Sequence, residues 1–160
     1  MGNQLEIAIE NILEIARGAK YYHFESGCDN PFSIEFHKIM DDVVDPYIYF
    51  HLQTILLDPS KEYMAEDVKC ELIKQIACIN DPNSIHIRRV LIQQCFDLPT
   101  LNLRDSAILA IAHIDDPLSL PALYVLYDRE KNDEAKVDIK QVIDQLIDTQ
   151  TEIDAKSTDK

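Results

Sequence analysis

The sequence predicts an all-α protein, a helical solenoid of about seven to eight helices. A unit of helix, Asp-Pro turn and helix occurs twice, at 67–92 and 102–127, with a constant offset of 35 residues and no gap. Glycine is rare, with 3 in 160 residues, which disfavours glycine-rich phosphate loops and barrels with tight turns. One helical pair cannot bury its apolar stripe alone, whereas two stacked pairs make a continuous core.

The repeated unit carries its apolar residues at helical spacing, which makes one apolar stripe on each first helix. The residues that match between the two copies are Ile73 and Ile108, Ile76 and Ile111, Ala77 and Ala112, and Ile79 and Ile114. An Asp-Pro pair follows each stripe, beginning at Asp81 and at Asp116. An aspartate there accepts a hydrogen bond from a backbone N–H of the next helix, and the proline stands where no N–H is needed.

Three helices are expected before the repeats. The first is predicted over 3–20, where apolar residues recur every three or four positions. The second is predicted over 33–44 with Ser33 as its cap, and the third over 47–57, between two Asp-Pro pairs. We interpret residues 1–60 as irregular N-terminal helices, because terminal repeats of a solenoid are often atypical.

Residues 61–148 contain the clear repeats. Periodicity predicts helices over 61–79, 84–96, 103–114, 118–129 and 134–147. The last of these is the first helix of an incomplete repeat. Residues 149–160 are polar and aperiodic, so a disordered tail is expected there. The first 148 residues are therefore predicted to form a single helical domain.

The run from Leu103 to Pro117, LRDSAILAIAHIDDP, resembles a HEAT repeat, and in particular the short HEAT-like repeats of phycobilin lyases. The shared pattern is an arginine near the helix start, small residues on one side, leucine or isoleucine on the other, and then Asp-Pro. The resemblance extends over 67–147. It implies a right-handed α–α superhelix that presents a concave surface to a partner protein.

The net charge is −14, from 15 basic and 29 acidic residues. This excess disfavours nucleic acid and anionic membranes as partners, because binding to phosphate requires clustered lysine and arginine. It favours a basic protein partner, or a role in solubility alone. The one notable basic pair, Arg88-Arg89, is expected to be solvated or ion-paired.

The four cysteines form no CxxC pair. Cys70 and Cys78 lie about two helical turns apart on one face, which suits buried thiols in a reducing compartment better than disulfides or a zinc site. The N-terminus has no basic region followed by a long apolar run, and no stretch is long and apolar enough to span a membrane. The expected location is the cytoplasm.

No catalytic motif is present, so we expect a non-enzymatic protein without a cofactor or metal. The motifs sought are GxGxxG, GxxxxGK[ST], HExxH and GxSxG. His37 and Asp41 lie four apart on one predicted helix and are compatible with a metal, although solvated helix-end residues would look the same. The paired His-Glu dipeptides of some HEAT-like iron enzymes are absent.

Two sets of residues are candidates for contact with a partner protein. The first is a row of aspartates at interhelical turns, which a solenoid would stack along one edge. In that row Asp41, Asp42 and Asp115 are free of the capping role expected of Asp81 and Asp116. The second set lies opposite the apolar stripes and would line the concave side. Its members are Glu71, Lys74, Cys78, Ser106, Leu109, His113, Asp138, Gln141 and Gln145.

Three functions fit these observations. The first is a protein-binding module, in its sharpest form an acidic immunity protein that neutralises a basic toxin such as a nuclease by electrostatic complementarity. The second is a scaffold subunit of a larger assembly, which predicts an exposed apolar face and self-association. The third is a cofactor handler of the bilin-lyase type, which predicts a coloured or metal-containing preparation.

Overall fold

The computed structural model describes residues 2–25, 29–58 and 64–158, and these segments contain eight α-helices and no β-strand. The all-α class that the sequence predicts is confirmed. The helices are α1 (Gly2–Gly18), α2 (Pro31–Asp41), α3 (Tyr47–Leu57), α4 (Glu66–Ala77), α5 (Ile85–Gln94), α6 (Leu101–Ile114), α7 (Leu120–Arg129) and α8 (Asp133–Thr158). Short 3₁₀ turns occupy Ala19–Tyr21, Pro82–Ser84, Cys95–Asp97 and Pro117–Ser119.

The even-numbered helices form a row in which each contacts the next: α2 lies against α4, α4 against α6, and α6 against α8. In the other helices, α1 contacts α3 and α3 contacts α5. Contacts between α1 and α2, α4 and α5, α5 and α6, and α7 and α8 join the two sets. The helices of the row therefore have neighbours on several sides.

The apolar stripes of both repeat units lie in one continuous core. Ile76 and Ile111, which stand at the same position of the two units, are each 0 % exposed. Phe32 and Phe36 extend the core to α2, and Ile12 extends it to α1. The helical periodicity of the sequence therefore identifies these buried positions of α4 and α6 correctly, although α6 also carries the exposed Leu109 on another face.

Both Asp-Pro turns have the geometry that the sequence predicts. The Asp81 carboxylate accepts a hydrogen bond from the Asn83 N–H at 3.0 Å, and Asp116 accepts one from the Leu118 N–H at 3.0 Å. Each aspartate begins a 3₁₀ turn, and α5 and α7 follow that turn directly. The two helices therefore begin one and two residues later than the predicted starts at 84 and 118.

The prediction of Ser33 as the cap of α2 is wrong, because Asn30 caps this helix. The Asn30 Oδ1 accepts the Ser33 N–H at 2.9 Å, and the Ser33 Oγ accepts the Asn30 N–H at 3.0 Å. Pro31 occupies the first helical position, which needs no N–H donor. Ser33 is thus the inner member of a reciprocal capping box, and the helix begins two residues before the predicted start.

The expected disordered tail over 149–160 is not what the structure contains, since α8 continues to Thr158. The Thr149 hydroxyl donates to the Asp115 carboxylate at 3.0 Å, which attaches this part of α8 to the end of α6. Further along, Gln150 donates to Asp154 at 2.8 Å, four residues ahead. Such pairs support helix without an apolar stripe, and periodicity alone does not reveal them. Residues 159–160 lie outside the described residues.

A buried guanidinium closes the carboxyl end of α4. Arg88 is 4 % exposed, and its Nη1 donates to the carbonyl oxygens of Ala77 at 2.8 Å and Ile76 at 3.3 Å. Its Nη2 donates to the Asp81 carbonyl at 3.1 Å, and its Nε donates to the Ser84 Oγ at 2.9 Å. The expectation of a solvated or ion-paired Arg88 is therefore wrong, because backbone carbonyls at a helix end are its acceptors.

Candidate functional site

Two of the predicted partner-binding residues are buried and do not form a surface. Glu71 and Ser106 are each 5 % exposed. Ser106 on α6 hydrogen-bonds to Cys70 on α4, between two helices that pack against each other. The prediction placed both residues on a free face because it allowed each helix a single apolar stripe. Helices of the even-numbered row bury flanks as well, and those flanks carry polar side chains.

Glu71 belongs to a polar network between α2 and α4. Its Oε1 accepts from Asn30 Nδ2 at 2.9 Å and from Gln75 Nε2 at 2.8 Å. The Gln75 Oε1 lies 2.7 Å from His37 Nε2. The buried carboxylate therefore has two donors, and it orients the residue that caps α2. These hydrogen bonds hold α2 in place beside α4. Because Oε1 already accepts two of them, it is not available to a partner protein.

Asp115 is exposed, but its carboxylate is engaged within the fold. The residue ends α6 in the left-handed conformation, with φ 54°, which aspartate tolerates better than most residues. Its Oδ1 accepts from Gln145 Nε2 at 2.7 Å and from Thr149 Oγ1 at 3.0 Å. Asp115 therefore connects α6 to α8, and its contribution to a binding surface is reduced.

The other members of the concave-side set lie on several helices without converging on a cavity. His113, Asp138 and Gln141 are exposed, and Lys74 is half-buried. We compared these residues with the linings of four cavities in the described part of the chain. They line none of the four, and the same holds for Glu71, Ser106 and Asp115. Asp41 and Asp42 are the two predicted residues that do line cavities, and both are exposed.

One cavity is a groove between the start of α1 and the turn from α2 to α3, here called the α1–α2 groove. It has a volume of about 530 Å³, within the usual range for ligand-binding clefts. Its lining is Gln4, Leu5, Ile7, Ala8, Asn11, Ile39, Asp42, Val43, Val44, Asp45, Pro46 and Tyr47. Most of these side chains are apolar, and the polar ones are two amides and two carboxylates. No lysine, arginine or histidine is among them.

Several apolar side chains of the α1–α2 groove are open to solvent. Val44 is 96 % exposed, Tyr47 is 69 % exposed and Ile7 is 48 % exposed. Such residues stabilise the fold little in this state, since the free energy of burial depends on the apolar area removed from water. Exposed apolar residues around a concavity with a polar rim are typical of a binding surface.

Two smaller cavities adjoin the groove, and Asp42 lines all three. The acidic residues of this combined surface are Glu14, Asp29, Glu35, Asp41, Asp42 and Asp45. Its one lysine, Lys38, lies 3.7 Å from the Glu35 carboxylate. His37 also lines one of the smaller cavities. Carboxylates therefore outnumber cations strongly here, so the potential around the groove is negative at neutral pH.

Asp41 and Asp42 stand where the helix itself disfavours negative charge. Asp41 is the last residue of α2, and Asp42 follows it. The carboxyl end of a helix carries a partial negative charge, so each carboxylate there costs about 0.3–1 kcal/mol when exposed. Among the described residues, neither carboxylate has a hydrogen-bond or ion-pair partner. Their position is therefore unfavourable in the free protein and favourable towards a bound cation.

The sequence contains a local signal for this groove, outside the repeated units. Residues 41–46 read DDVVDP, in which two adjacent valines are flanked by aspartates in a turn. The prediction extended α2 through Val44, but the helix ends at Asp41 and leaves Val44 exposed. The contribution of α1 has no local signal, because helical contact across about thirty residues is a tertiary effect.

The cysteines are only partly as expected. Cys70 and Cys95 are buried free thiols, whereas Cys78 is exposed, which corrects the expectation of a buried pair on one helical face. Burial raises the pKa of Cys95 to about 12, so this thiol is neutral and unreactive. Burial also raises the pKa of Cys70. Cys28 lies outside the described residues.

Within the described segments, no group of three or more His, Cys, Asp or Glu side chains has an arrangement that could hold a metal ion. None of the described helices combines the length and apolar character needed to cross a membrane. No protein-family model matches this sequence, and the comparisons with curated proteins and with solved structures found no match either.

Proposed function

We propose that the chain is a non-enzymatic protein-binding module of the short HEAT-like solenoid type, which binds a basic protein in the cytoplasm. The single observation that carries the proposal is the acidic surface around Asp42. There the carboxylates of α1, α2 and the following turn surround an apolar groove, with Lys38 as the one lysine. The lysines and arginines of a basic partner would contact these carboxylates, which have few cations of this chain beside them.

The sharper form of the proposal is an inhibitor or immunity protein for a basic enzyme such as a nuclease toxin. An enzyme that binds phosphate carries clustered lysine and arginine around its active site. The carboxylates at the end of α2 would bind that cluster in place of the substrate phosphate. The rest of the helical domain would block access of the substrate to the active site. Association would be fast at low salt and slower at high salt, because electrostatic steering depends on ionic strength.

The test is capture of partners from host lysate on the immobilised chain, at low and then at high salt, with identification by mass spectrometry. A basic protein that is released as salt rises, and whose own activity this chain inhibits, is the expected result. Capture of no protein, or of acidic proteins only, would refute the proposal. The double variant Asp41→Asn/Asp42→Asn should capture less of the partner than the parent does.

The matched control for that variant is Asp128→Asn/Asp148→Asn, which also removes two negative charges. Asp128 is an exposed aspartate in the last turn of α7, and Asp148 is an exposed aspartate of α8. Both lie outside the cavities around Asp42. Equal loss of capture in the control and in the double variant would show that net charge alone matters and that the acidic surface is not the site.

A scaffold subunit is the second candidate, favoured by apolar residues exposed on α7 and α8 and in the turn before α7. Leu118 is 66 % exposed, Val125 is 62 % and Val137 is 57 %. A surface of this kind would be covered in a larger assembly. Sedimentation of the purified chain distinguishes the candidates, because a scaffold subunit should self-associate regardless of salt, whereas the acidic module should remain monomeric alone.

A further inference from the structure

We infer that the α1–α2 groove takes one large apolar side chain from a basic segment of the partner protein, with lysine or arginine beside it contacting Asp42 and Asp45. The inference rests on the proposed function and specifies its recognition chemistry. It requires an occupant that is apolar at its centre and positively charged at its margin, which is the complement of what the groove presents.

The apolar lining of the groove favours an apolar side chain at the centre of the occupant. Leu5, Ala8 and Ile39 come from two helices, and Val43 comes from the turn that follows α2. An aromatic or long aliphatic side chain that enters there would remove apolar area of both molecules from water, at about 25 cal/mol per Å². The exposed rings and methyls of Tyr47, Ile7 and Val44 would be covered in the same step.

The carboxylates at the rim of the groove favour positive charge at the margin of the occupant. Asp45 uses its Oδ1 to accept the Tyr47 N–H at 3.0 Å, and its other carboxylate oxygen is available as an acceptor. Asp42 has no partner among the described residues. The amides of Gln4 and Asn11 add donors and acceptors at the opposite wall. Since the rim contains no cation, an acidic or phosphorylated segment would meet repulsion, and a basic segment would meet attraction.

The same electrostatic argument disfavours a second copy of this chain as the occupant. A symmetric dimer through the groove would bring the same patch of each copy together. Each copy carries a net charge of −14, and the patch is acidic on both sides. Like charges placed opposite each other across an interface oppose association, so a basic segment of a different protein is the occupant that the charges favour.

The absence of tryptophan from the chain allows a direct measurement. The probe is a synthetic amphipathic helical peptide with one central tryptophan flanked by lysines, and its matched control replaces each lysine with glutamate. Binding in the groove should shift the tryptophan emission of the lysine peptide to shorter wavelength at low salt. The glutamate peptide should show no shift. Equal shifts, or no shift with either peptide, would overturn the inference.

Variants of the full chain locate the bound peptide. Val44→Lys should weaken binding of the lysine peptide at least about tenfold, since it removes an apolar contact and adds a repelling charge. Asp42→Asn should weaken it up to about fivefold, as expected for one exposed charge pair. Val44 and Asp42 are exposed, so neither variant should melt below the parent.

The controls are Val125→Lys and Asp128→Asn, which make the same chemical changes at exposed positions of α7. Both should bind the peptide with close to parental affinity. A loss at the controls as large as at Val44 and Asp42 would refute docking in the groove. A parental chain that dimerises, and a Val44→Lys variant that does not, would assign the groove to a second copy and overturn the inference.

The two proposals can fail separately. A basic protein captured from lysate that binds Val44→Lys as tightly as the parent would leave the proposed function standing and refute the groove as its site. Conversely, specific binding of the lysine peptide in the groove, with no basic protein captured from lysate, would support the recognition chemistry and refute the proposed cellular role.

Discussion

Asp105 on α6 carries a carboxylate in an unfavourable environment. Its Oδ1 is buried and has no hydrogen-bond partner in the part of the chain that the structure describes. Burial raises the pKa of Asp105, and the nearby Asp138 carboxylate raises it further, while Arg104 opposes the shift. The folded protein therefore binds this proton more tightly than the unfolded chain does. Its stability should fall as pH rises from the unfolded value of 3.8 through the raised pKa.

We predict that Asp105→Asn raises the free energy of unfolding at pH 7, because the amide needs no ionisation at the same site. The gain should shrink as pH falls, since Asp105 itself becomes protonated in the parent. Urea denaturation of both proteins at several values between about pH 3.5 and pH 7 measures the difference. Asp128→Asn, at the exposed end of α7, should gain no more than about 0.3–1 kcal/mol, the cost of a carboxylate at a helix end. A gain that is independent of pH would contradict the assignment of the effect to ionisation.

At the scale of the helices, Arg88 determines where α4 ends. The guanidinium of α5 occupies the position that solvent would otherwise take at the last carbonyls of α4. We predict that Arg88→Met destabilises the protein by about 3 kcal/mol, because buried carbonyl groups would lose their donors while the side-chain volume is largely kept. Thermal and urea denaturation should show it. Arg88→Lys retains the charge without the planar fork of donors, and an intermediate loss is expected.

Local sequence pattern predicts some helix bounds and the burial of the apolar stripes. The bounds of α3, Tyr47–Leu57, agree with prediction because Asp-Pro pairs flank it, and the burial of Ile76 and Ile111 follows from spacing. The role of Arg88 could not be predicted in this way. Three of its four hydrogen bonds go to backbone carbonyls seven to twelve residues away, and carbonyl groups are the same at every position of the sequence.

The site shows the same division between local pattern and tertiary contact. The sequence identified Asp41 and Asp42 as carboxylates without a capping role, and both line cavities in the structure. It also placed Glu71 and Ser106 on an open surface, where the neighbouring helices of the even-numbered row cover them. Which side chains line the α1–α2 groove depends on how α1 crosses the turn after α2. The packing of the whole domain decides that crossing.

For the molecule as a whole, the net charge of −14 leaves an excess of carboxylates on the surface. Arg88 and Arg89 are buried, and the Arg89 Nε lies 2.8 Å from the Asp116 carboxylate. Arg104 lies 3.3 Å from Glu130, and Arg129 lies 2.6 Å from Asp97. Several of the few cations are therefore engaged at internal contacts or ion pairs. The remaining carboxylates repel one another across the surface.

Because of this repulsion, we predict that added sodium chloride raises the melting temperature of the isolated chain by a few degrees near neutral pH. Salt screens charges separated by more than a Debye length, which is about 10 Å at 0.1 M. Differential scanning calorimetry over a series of salt concentrations measures the change. A melting temperature that falls as salt is added would mean that the ion pairs of Arg104 and Arg129 outweigh the general repulsion.

Polar contacts that differ between the two repeat units also affect whether the helices assemble in the correct order. The two repeat units have the same apolar stripe, so a folding chain could place one first helix in the position of the other. At the position equivalent to Arg88 the second unit has Leu123, which is 0 % exposed, and its first helix ends instead in the contact of Asp115 with Gln145 and Thr149. With α6 in the place of α4, Ser106 would replace Glu71, and Asn30 would lose its carboxylate acceptor. With α4 in the place of α6, Asn80 would replace Asp115, and Gln145 and Thr149 would lose theirs. These polar contacts differ between the two units and therefore favour a single order of helices whose apolar stripes are alike.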